Sequence, residues 1–361
     1  MTRLRVAVIG AGHLGRIHAK LLSSVDGAEL VGISDPIESA RQNARKLFGV
    51  PTVADYRELI DQVDAAIIAA PTDAHAEIAT DLLKSGKHLL VEKPLATTAA
   101  DANKLAMLAS ARRLTLQVGH VERFNPAFTS LEQLSVDTKY VEAVRASRFP
   151  GRCLDVGVVM DLMIHDIDLV CSMTEAPVRH VAASGLAVVS DHEDLAEARV
   201  EFECGLVANL KASRISPTPA RSMQVFGSNG FAEIDFSGPA LHTVRPSTSL
   251  VERTFDLEVA TDNPLQYADE LFRDHLGIET RELEPRNAIL DELHDFVISI
   301  QSGMLPTVSG ADGARAVTIA EAILDSIKHR QWYGDATPSE IGPLASVRPR
   351  IDAPSRTRKA A

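Results

Sequence analysis

An apolar strand followed directly by a glycine turn constrains the fold of this chain more than any other feature. Residues 5–9 (RVAVI) form the apolar run, and GAGHLG follows without a gap. The glycines of this turn have the spacing G-x-G-x-x-G and are Gly10, Gly12 and Gly15. In such a turn the first glycine bends the chain, the second lets the backbone approach a pyrophosphate, and the third lets the next helix pack on the strand. The amides that begin that helix, at His13 and Leu14, would face the phosphates, so the pattern predicts a dinucleotide site.

A carboxylate at the end of the next apolar run favours NAD as the dinucleotide. The run covers residues 29–34, and Asp35 follows it, 20 residues after Gly15. A carboxylate at this distance hydrogen-bonds the ribose 2′-hydroxyl of NAD. The next residues, Pro-Ile-Glu, offer no cation for the 2′-phosphate of NADP. The alternative interpretation is an ordinary turn followed by a surface aspartate.

Apolar runs alternate with helical patterns through the first third of the chain. Strand-like runs cover 64–71, 88–94 and 114–119, with a helical pattern between each. Short apolar strands separated by helices are typical of a parallel sheet that is covered on both faces. Residues 1–120 are therefore predicted to form an NAD-binding Rossmann domain, in a protein of the α/β class.

Beyond residue 120 the strand-like runs follow one another more closely, which indicates an α/β domain with a mostly antiparallel, open sheet. Runs at 140–149, 180–190 and 196–215 are predicted strands, and GSNG is a predicted hairpin turn. The helical segment around 161–168 is inserted after the first of these strands.

The last third of the chain is less regular. Residues 237–285 have little periodicity and receive no assignment. Two later amphipathic segments are predicted helices that pack back on the first domain, so the second domain is placed at 121–333. Residues 334–361 are rich in Pro, Ser and Ala, with a basic end, and are predicted to be a disordered tail.

The composition excludes several kinds of partner and site. The chain has 361 residues and a formal net charge of −12, which argues against binding nucleic acid or anionic membranes. No apolar run approaches the roughly 18 residues of a membrane span, so we expect no membrane insertion and a cytoplasmic location. The three cysteines lie far apart, and DHED at 191–194 is interpreted as a solvated loop. No metal site is predicted.

The tetrapeptide VEKP, residues 91–94, lies at the carboxyl end of a predicted strand, where ligands of an open parallel sheet collect. Pro94 biases Lys93 toward an extended or turn geometry, and a cis bond between the two is compatible with this sequence. A lysine held in this way, after Glu92, would extend toward the nicotinamide end of the cofactor. A solvated turn is the alternative.

An earlier strand end supplies three more candidate cofactor neighbours. Pro71 and Thr72 follow the run at 64–71, on the nucleotide side, and are expected to contact the cofactor through their backbone. His75 is also a candidate, although a surface histidine at a helix start would leave the same pattern.

The segment DLMIHDID, residues 161–168, concentrates ionisable groups in an otherwise apolar stretch. On an α-helix, Asp161, His165 and Asp168 would lie within about 60° of one another. Buried carboxylates beside an imidazole are costly unless they are paired. The segment therefore indicates either a satisfied polar network or a working site.

Polar residues on either side of that segment are candidate substrate ligands. Asn125, in RFNP, is one, while its neighbour Arg123 is equally compatible with a structural ion pair. Arg148 and Arg152 flank FPG, shortly before the segment, and two guanidinium groups so placed are suited to holding a phosphate.

Taken in order, these motifs resemble the Gfo/Idh/MocA family of oxidoreductases over roughly residues 5–330. The resemblance rests on VAVIGAGHLG, AAPTDAHAEIA, HLLVEKPLA, RFNP and MDLMIHDIDLV. It implies that Lys93, Asp161 and His165 form the catalytic group, and that the second domain binds substrate and forms a homodimer or homotetramer. The chain departs from the family pattern at Met163, where a glycine is usual, so the substrate side of the helix could be crowded.

The resemblance also implies a reaction, which is oxidation of a secondary alcohol on a sugar ring. QVGHVERFNPAF together with the later MDLMIHDIDLV is most similar to the branch that oxidises C3 of UDP-N-acetylglucosamine for lipid A-type amino sugars. A dehydrogenase of free sugars or polyols, an NAD-dependent glycosidase and a non-enzymatic NAD-binding regulator are the alternatives. A regulator would need no proton-transfer group, so the three candidate catalytic residues count against it.

Overall fold

The fold is built on two β-sheets, one parallel and one largely antiparallel. The computed structural model describes residues 3–134, 136–149, 156–238, 240–255 and 263–329. Cys153, Arg152 and the predicted tail at 334–361 lie outside the described residues. Within the described ranges, no helix is long and apolar enough to cross a membrane.

The first sheet has six parallel strands in the order β3-β2-β1-β4-β5-β6. Its strands are β1 (Leu4–Ile9), β2 (Ala28–Ser34), β3 (Thr52–Val53), β4 (Ala65–Ile68), β5 (His88–Glu92) and β6 (Leu116–Gly119). All four residues of β4 are buried, as expected of a strand that is covered on both faces. The order reverses between β1 and β4, so ligands are expected to bind at the carboxyl ends of these two strands.

Four helices cover this sheet, and a side chain caps the start of the last of them. They are α1 (His13–Leu22), α2 (Glu38–Phe48), α3 (Thr72–Lys84) and α4 (Ala99–Arg112). Gly49 ends α2 in the left-handed conformation, with φ of 68°, which glycine adopts readily. Thr98 caps α4 by accepting a hydrogen bond from the Asp101 amide.

The second sheet has eight strands in the order β14-β13-β12-β11-β7-β10-β9-β8. Its strands are β7 (Thr138–Ala146), β8 (Val178–Leu186), β9 (Leu195–Phe202), β10 (Val207–Ser213), β11 (Ala220–Gly227), β12 (Gly230–Asp235), β13 (Ala240–Pro246) and β14 (Leu276–Glu282). β7 pairs with β10 in parallel, and the other pairs are antiparallel. The predicted α/β class with a mostly antiparallel second sheet is therefore confirmed.

The unassigned region contains regular structure that its sequence pattern does not indicate. Besides β13 and β14, it holds the helices α7 (Thr248–Val251) and α8 (Pro264–Asp274). Six of the seven residues of β14 are exposed. An edge strand that faces solvent on both sides carries no apolar alternation, so periodicity cannot detect it.

Three further helices and one composite helix connect the sheets. α5 (Pro126–Glu132) follows β6, and a π-helical turn (Val159–Met163) runs directly into α6 (Ile164–Ser172). α9 (Ala288–Ser302) packs against α1. α10 (Gly310–Lys328) packs against α4, which covers the first sheet, and also against α6 and strand β8 of the second sheet. The division of the chain at residue 120 stays a prediction.

Candidate active site

A cavity of about 1320 Å³ opens at the carboxyl ends of the first sheet and extends to the start of α6. It is the place where the strand order predicts a ligand. Ten of the residues singled out from the sequence line it: Gly10, Gly12, His13, Leu14, Asp35, Pro71, Lys93, Arg148, Asp161 and His165. Five others are not among the residues that line it: Gly15, Thr72, His75, Glu92 and Asn125.

The three glycines of the turn meet different surroundings, which test the fit of a dinucleotide. Gly10 has φ of +101°, and a Cβ there would lie 2.5 Å from the Ala69 carbonyl oxygen. A Cβ on Gly15 would lie 1.9 Å from the Gly10 carbonyl oxygen. A Cβ on Gly12 would meet nothing within 4 Å. The turn is thus closed against its own chain at the first and third glycines and open at the second, as a pyrophosphate cradle requires.

Asp35 is tied to this turn through the backbone. Its side chain accepts a hydrogen bond of 2.8 Å from the Ala11 amide on one oxygen and one of 2.8 Å from the Ile37 amide on the other. A carboxylate oxygen has a second lone pair, so each can also accept a bond from a ligand hydroxyl. The position of Asp35 beside the glycine turn fits a ribose of NAD.

His75 is buried and joins two loops behind the cavity. Its Nδ1 lies 2.9 Å from the Pro94 carbonyl oxygen and its Nε2 lies 2.9 Å from that of Ala70. Burial lowers the pKa of this imidazole. Both ring nitrogens are engaged by the chain, which favours a supporting role over direct contact with a cofactor.

Lys93 and Asp161, distant in sequence, form an ion pair at the far end of the cavity. The Lys93 Nζ donates to Asp161 Oδ1 at 2.9 Å and to the Asp161 carbonyl oxygen at 2.7 Å. The Lys93–Pro94 bond is cis. Asp161 lies in the π-helical turn rather than in the α-helix that the sequence predicts, and π turns are frequent at functional sites.

His165 lies one turn further along and lines the same end of the cavity. Its Nδ1 is buried without a hydrogen-bond partner among the described residues. Burial, followed by the positive charges of Lys93 and Arg145, holds the pKa of this imidazole well below its usual range. His165 is therefore neutral near pH 7 and can accept a proton.

His120 lies behind His165, with its ring edge-on and the centroids 6.3 Å apart. It is fully buried, and burial lowers its pKa to about 3. The sequence gives no signal for this pairing, because the two histidines are 45 residues apart.

A network of buried ion pairs lies beneath α6, and the sequence pattern does not predict it. Arg145 donates to Asp166 through two nitrogens, the shorter bond being 2.8 Å, and to Glu122 at 2.9 Å. Arg221 also pairs with Glu122. A signal existed in the second aspartate of DLMIHDID, Asp166, but its partner Arg145 lies on β7. Arg145 in turn pairs with Glu122 of the short helix Val121–Phe124, which precedes α5. The segment is thus both a polar network and part of the site.

Asp168, at the end of the same segment, is buried, and its nearest cation, Arg123, is too far away for a hydrogen bond. Its Oδ2 lies 3.9 Å from Arg123 Nη1, beyond hydrogen-bond range. Burial raises the pKa of this carboxyl to about 7. Arg123 also donates to the Thr307 carbonyl oxygen at 3.2 Å.

The candidate substrate ligands differ in how many of their side-chain atoms already hydrogen-bond other residues of the protein. Asn125 caps α5 by accepting from the Ala127 amide at 3.0 Å, and its Nδ2 donates to Glu122 at 3.1 Å. Arg148 is exposed at the cavity wall, where its Nε donates to the Pro217 carbonyl oxygen at 3.0 Å. Arg148 is therefore placed to meet a ligand, while Asn125 has a capping role.

The sequence analysis missed Arg214 and misjudged part of the DHED segment. Arg214 lines the cavity, is fully buried, and donates to Asp194 at 2.7 Å. Glu193, which is also buried, accepts from the Val159 amide at 3.2 Å and so holds the start of the π-helical turn. The expectation of a solvated loop was wrong for these two carboxylates, because they bind groups from other elements.

Within the described ranges, no group of three His, Cys, Asp or Glu residues is placed to hold a metal ion.

Comparisons with known proteins agree with this geometry. Residues 4–120 match the model of an oxidoreductase family with an NAD-binding Rossmann fold, and residues 135–233 match the GFO/IDH/MocA C-terminal domain. The UDP-N-acetylglucosamine 3-dehydrogenase of Acidithiobacillus ferrooxidans is 34% identical over 324 residues, which is 89% of this chain and 96% of that protein. The myo-inositol 2-dehydrogenase of Thermotoga maritima is 27% identical over 91% of this chain and 97% of its own.

Structural similarity points to the same group. The solved structure of UDP-N-acetylglucosamine 3-dehydrogenase GnnA from Acidithiobacillus ferrooxidans has a TM-score of 0.79 and 31% sequence identity, covering 90% of this chain and 98% of that one. The family suggested by the sequence motifs is confirmed by these matches. The chain belongs to the Gfo/Idh/MocA family of oxidoreductases with an NAD-binding Rossmann fold.

Proposed function

We propose that this enzyme uses NAD to oxidise a secondary alcohol on a sugar ring, and that its substrate is UDP-N-acetylglucosamine, oxidised at C3 to the 3-keto sugar. One observation carries the proposal: Lys93, Asp161 and a neutral His165 meet at one end of a cavity whose other end is the glycine turn. Two distant motifs thus face a single ligand-sized space.

In this proposal the cofactor end of the cavity holds NAD through its backbone and one carboxylate. The pyrophosphate lies at Gly12 and the first amides of α1, and Asp35 binds the adenine-side ribose. NAD, when bound, supplies the acceptor for the hydrogen and electron pair that leave the alcohol carbon. Pro71 contributes wall contact beside the turn.

Proton transfer falls to the side chains at the other end. His165 takes the hydroxyl proton, because its imidazole is neutral near pH 7 and lines the cavity beside Lys93. The Lys93 ammonium, oriented by Asp161, donates a hydrogen bond to the reacting oxygen as negative charge develops there. General acid–base assistance of this kind is worth about 10²–10⁴-fold in rate.

A nucleotide sugar is favoured over a free sugar by the relative at 34% identity and by Arg148. Within the described residues, the terminal nitrogens of Arg148 have no hydrogen-bond partner, while its Nε is anchored. A guanidinium held in this way at the cavity wall is suited to a diphosphate. The proposal also places the enzyme in the cytoplasm as a homodimer or homotetramer.

The test is formation of NADH by the purified protein, followed at 340 nm, with UDP-N-acetylglucosamine against a panel containing myo-inositol and glucose. We expect turnover with the nucleotide sugar and a Lys93→Met variant that binds NAD but does not turn over. Preference for a polyol would replace the proposed substrate by the second candidate. Sugar release without net NADH would indicate a glycosidase instead.

A further inference from the structure

Two neighbouring carboxylates of the DHED segment have no part in the proton-transfer scheme above. Glu193 and Asp194 are both buried, and they lie on the loop between β8 and β9. Neither of them lines the cavity. Burying a carboxylate is costly unless it is bonded, so the partners of these two residues indicate what they do.

Glu193 contacts the beginning of the π-helical turn in three ways. Its Oε1 accepts a hydrogen bond from the Val159 amide at 3.2 Å, and its backbone carbonyl accepts one from the Val158 amide at 2.9 Å. The first amides of a helix lack partners inside it, so Glu193 supplies acceptors that the turn itself cannot. The third contact is with Gly157, where a Cβ would lie 2.0 Å from Glu193 Oε1 and 2.1 Å from its Cδ. The carboxylate therefore lies against the glycine backbone, in space that any larger residue would fill.

Asp194 holds the residue just before Gly157 through an arginine. It accepts from Arg214 Nε at 2.7 Å, and it also accepts from three backbone amides of its own loop. Arg214 Nη1 donates to the Val156 carbonyl oxygen at 2.9 Å. Residues 156–159 are thus bonded, at their first and last positions, to groups that the same loop supplies or holds.

This constraint reaches the catalytic end of the cavity through Asp161. The Asp161 amide donates to the Gly157 carbonyl oxygen at 3.0 Å. Asp161 in turn accepts from Lys93 Nζ, at 2.9 Å through its side chain and at 2.7 Å through its carbonyl oxygen. A single π-helical turn is rare, so its form depends on contacts from outside the helix. A displacement of about 1 Å at a reacting group can cost about 100-fold in rate.

We propose that Glu193 is a positioning residue for the reaction, because by holding the start of the π-helical turn it places Asp161 against Lys93. This inference rests on the proposed function, in which Asp161 orients the Lys93 ammonium. It predicts that loss of the Glu193 side chain and addition of a side chain at Gly157 cause the same defect, since each separates the carboxylate from the turn.

The loop offers a matched set of substitutions for the test. Glu193→Ala removes the acceptor, whereas Glu193→Gln keeps an acceptor oxygen on a side chain of the same shape. Asp191→Ala removes an exposed carboxylate from the same loop and is the control. Gly157 does not have a positive φ, so the effect of Gly157→Ala comes from its methyl group meeting the Glu193 carboxylate.

Steady-state kinetics are measured with a sugar of the panel that the wild type oxidises. We expect Glu193→Ala and Gly157→Ala each to lower kcat about 10–100-fold, because Asp161 no longer holds the lysine in place. The KM for NAD should stay within about twofold, since the glycine turn is untouched. Glu193→Gln and Asp191→Ala should keep kcat within about threefold of wild type. The double variant Gly157→Ala, Glu193→Ala should lose no more than either single variant, because the methyl group then has space.

Hydrogen–deuterium exchange, followed by mass spectrometry, gives a readout that needs no substrate. In Glu193→Ala and Gly157→Ala, amides of residues 157–165 should exchange about tenfold faster, while those of β1 and α1 keep wild-type rates. A purely structural role would raise exchange in both regions and weaken NAD binding together with kcat. Failure of the wild type to oxidise any sugar would reject the proposed function, and the exchange rates would still decide whether Glu193 holds the turn.

The inference is overturned if Glu193→Ala keeps the kcat of the wild type, or if Glu193→Gln loses as much as Glu193→Ala. Losses that add up in the double variant would also overturn it. If Glu193→Ala does not fold, Glu193→Asp keeps the carboxylate but shortens its reach to the Val159 amide. That variant should lower kcat about tenfold at an unchanged KM for NAD, and full activity would contradict the inference.

Discussion

The two ends of the cavity differ in what they present to a ligand. At the glycine-turn end the surface is backbone: Gly12 leaves open space, and even Asp35 is fixed by amides of neighbouring residues. At the other end the surface is made of titratable side chains, with Lys93 from β5 meeting the π-helical turn before α6. At the first end the glycines of one short turn form the surface, whereas at the second end the paired side chains are 68 residues apart.

This difference indicates that the two ends should fail differently when they are altered. A side chain added at the glycine turn fills space that the cofactor or the backbone occupies, so it should alter cofactor affinity or folding. Changes at the catalytic end act on protonation and should alter kcat with little effect on cofactor binding. Four predictions examine this contrast.

The largest effect is expected at His165. Replacement by Asn removes the proton acceptor while keeping a small polar side chain, so kcat should fall about 10²–10⁴-fold. The Kd for NAD, measured by calorimetry, should stay within about twofold of wild type, because the cofactor end is untouched. His180→Asn, at an exposed position on β8, is the matched control and should retain full activity. Loss of NAD binding in His165→Asn would remove the separation between the two ends.

Cofactor preference should respond to charge at the end of β2. Ile37 is 61% exposed and lines the cavity, so Asp35→Ser together with Ile37→Arg supplies a cation for a 2′-phosphate. We expect the ratio of kcat/KM for NADP to that for NAD to rise about 100-fold, as a charge-assisted contact replaces a repulsive one. Asp35→Ser with Ile37→Gln controls for side-chain size. An unchanged ratio in the arginine variant would show that the ribose lies elsewhere.

Two glycines of the turn should separate affinity from stability. Gly12→Ala adds a methyl group where the free protein has space, so the variant should fold normally and raise the KM for NAD about tenfold. Gly15→Ala places its Cβ 1.9 Å from the Gly10 carbonyl oxygen and should destabilise the domain severely. Thermal unfolding and NAD titration of both variants measure the two effects. Equal melting temperatures would contradict the assigned roles.

The last prediction concerns stability rather than activity, and it is made for Asp168, which does not line the cavity. Its pKa of about 7 in the folded state exceeds its ordinary value of 3.8, so the native state holds the extra proton between these values. Stability should therefore be fully present below about pH 4 and decline toward pH 7, by at most about 1.4 kcal/mol per pH unit. In Asp168→Asn this decline should be absent. Urea unfolding of both proteins at pH 5, 6 and 7 measures the slopes, and parallel curves would refute the assignment.

Much of the first sheet could be predicted because its information is local. Buried parallel strands are short apolar runs, and glycines end the turns and helices between them, as Gly49 does for α2. The second sheet was predicted only in part. β14 is exposed on both faces and leaves no pattern, and the π-helical form of the turn at Asp161 depends on contacts from Glu193 and Lys93.

The candidate site divides in the same way. Motif chemistry identified the lysine, aspartate and histidine at the cavity end, since each carries a functional group that the proposed reaction needs. It could not identify Arg145 or Arg214, because their importance comes from burial and partners rather than from their type. Asn125 and His75 show the reverse, as both have suitable chemistry but are engaged by the chain itself.

By itself the sequence determined the nucleotide-binding turn and the kind of chemistry available, because glycine spacing and functional groups are properties of neighbouring residues. Only the tertiary structure decided which groups are charged and which ones face the cavity. Burial and the distances between residues far apart in the chain set those properties: a neutral His165 and the ion pair of Lys93 with Asp161 both follow from surroundings that other elements supply.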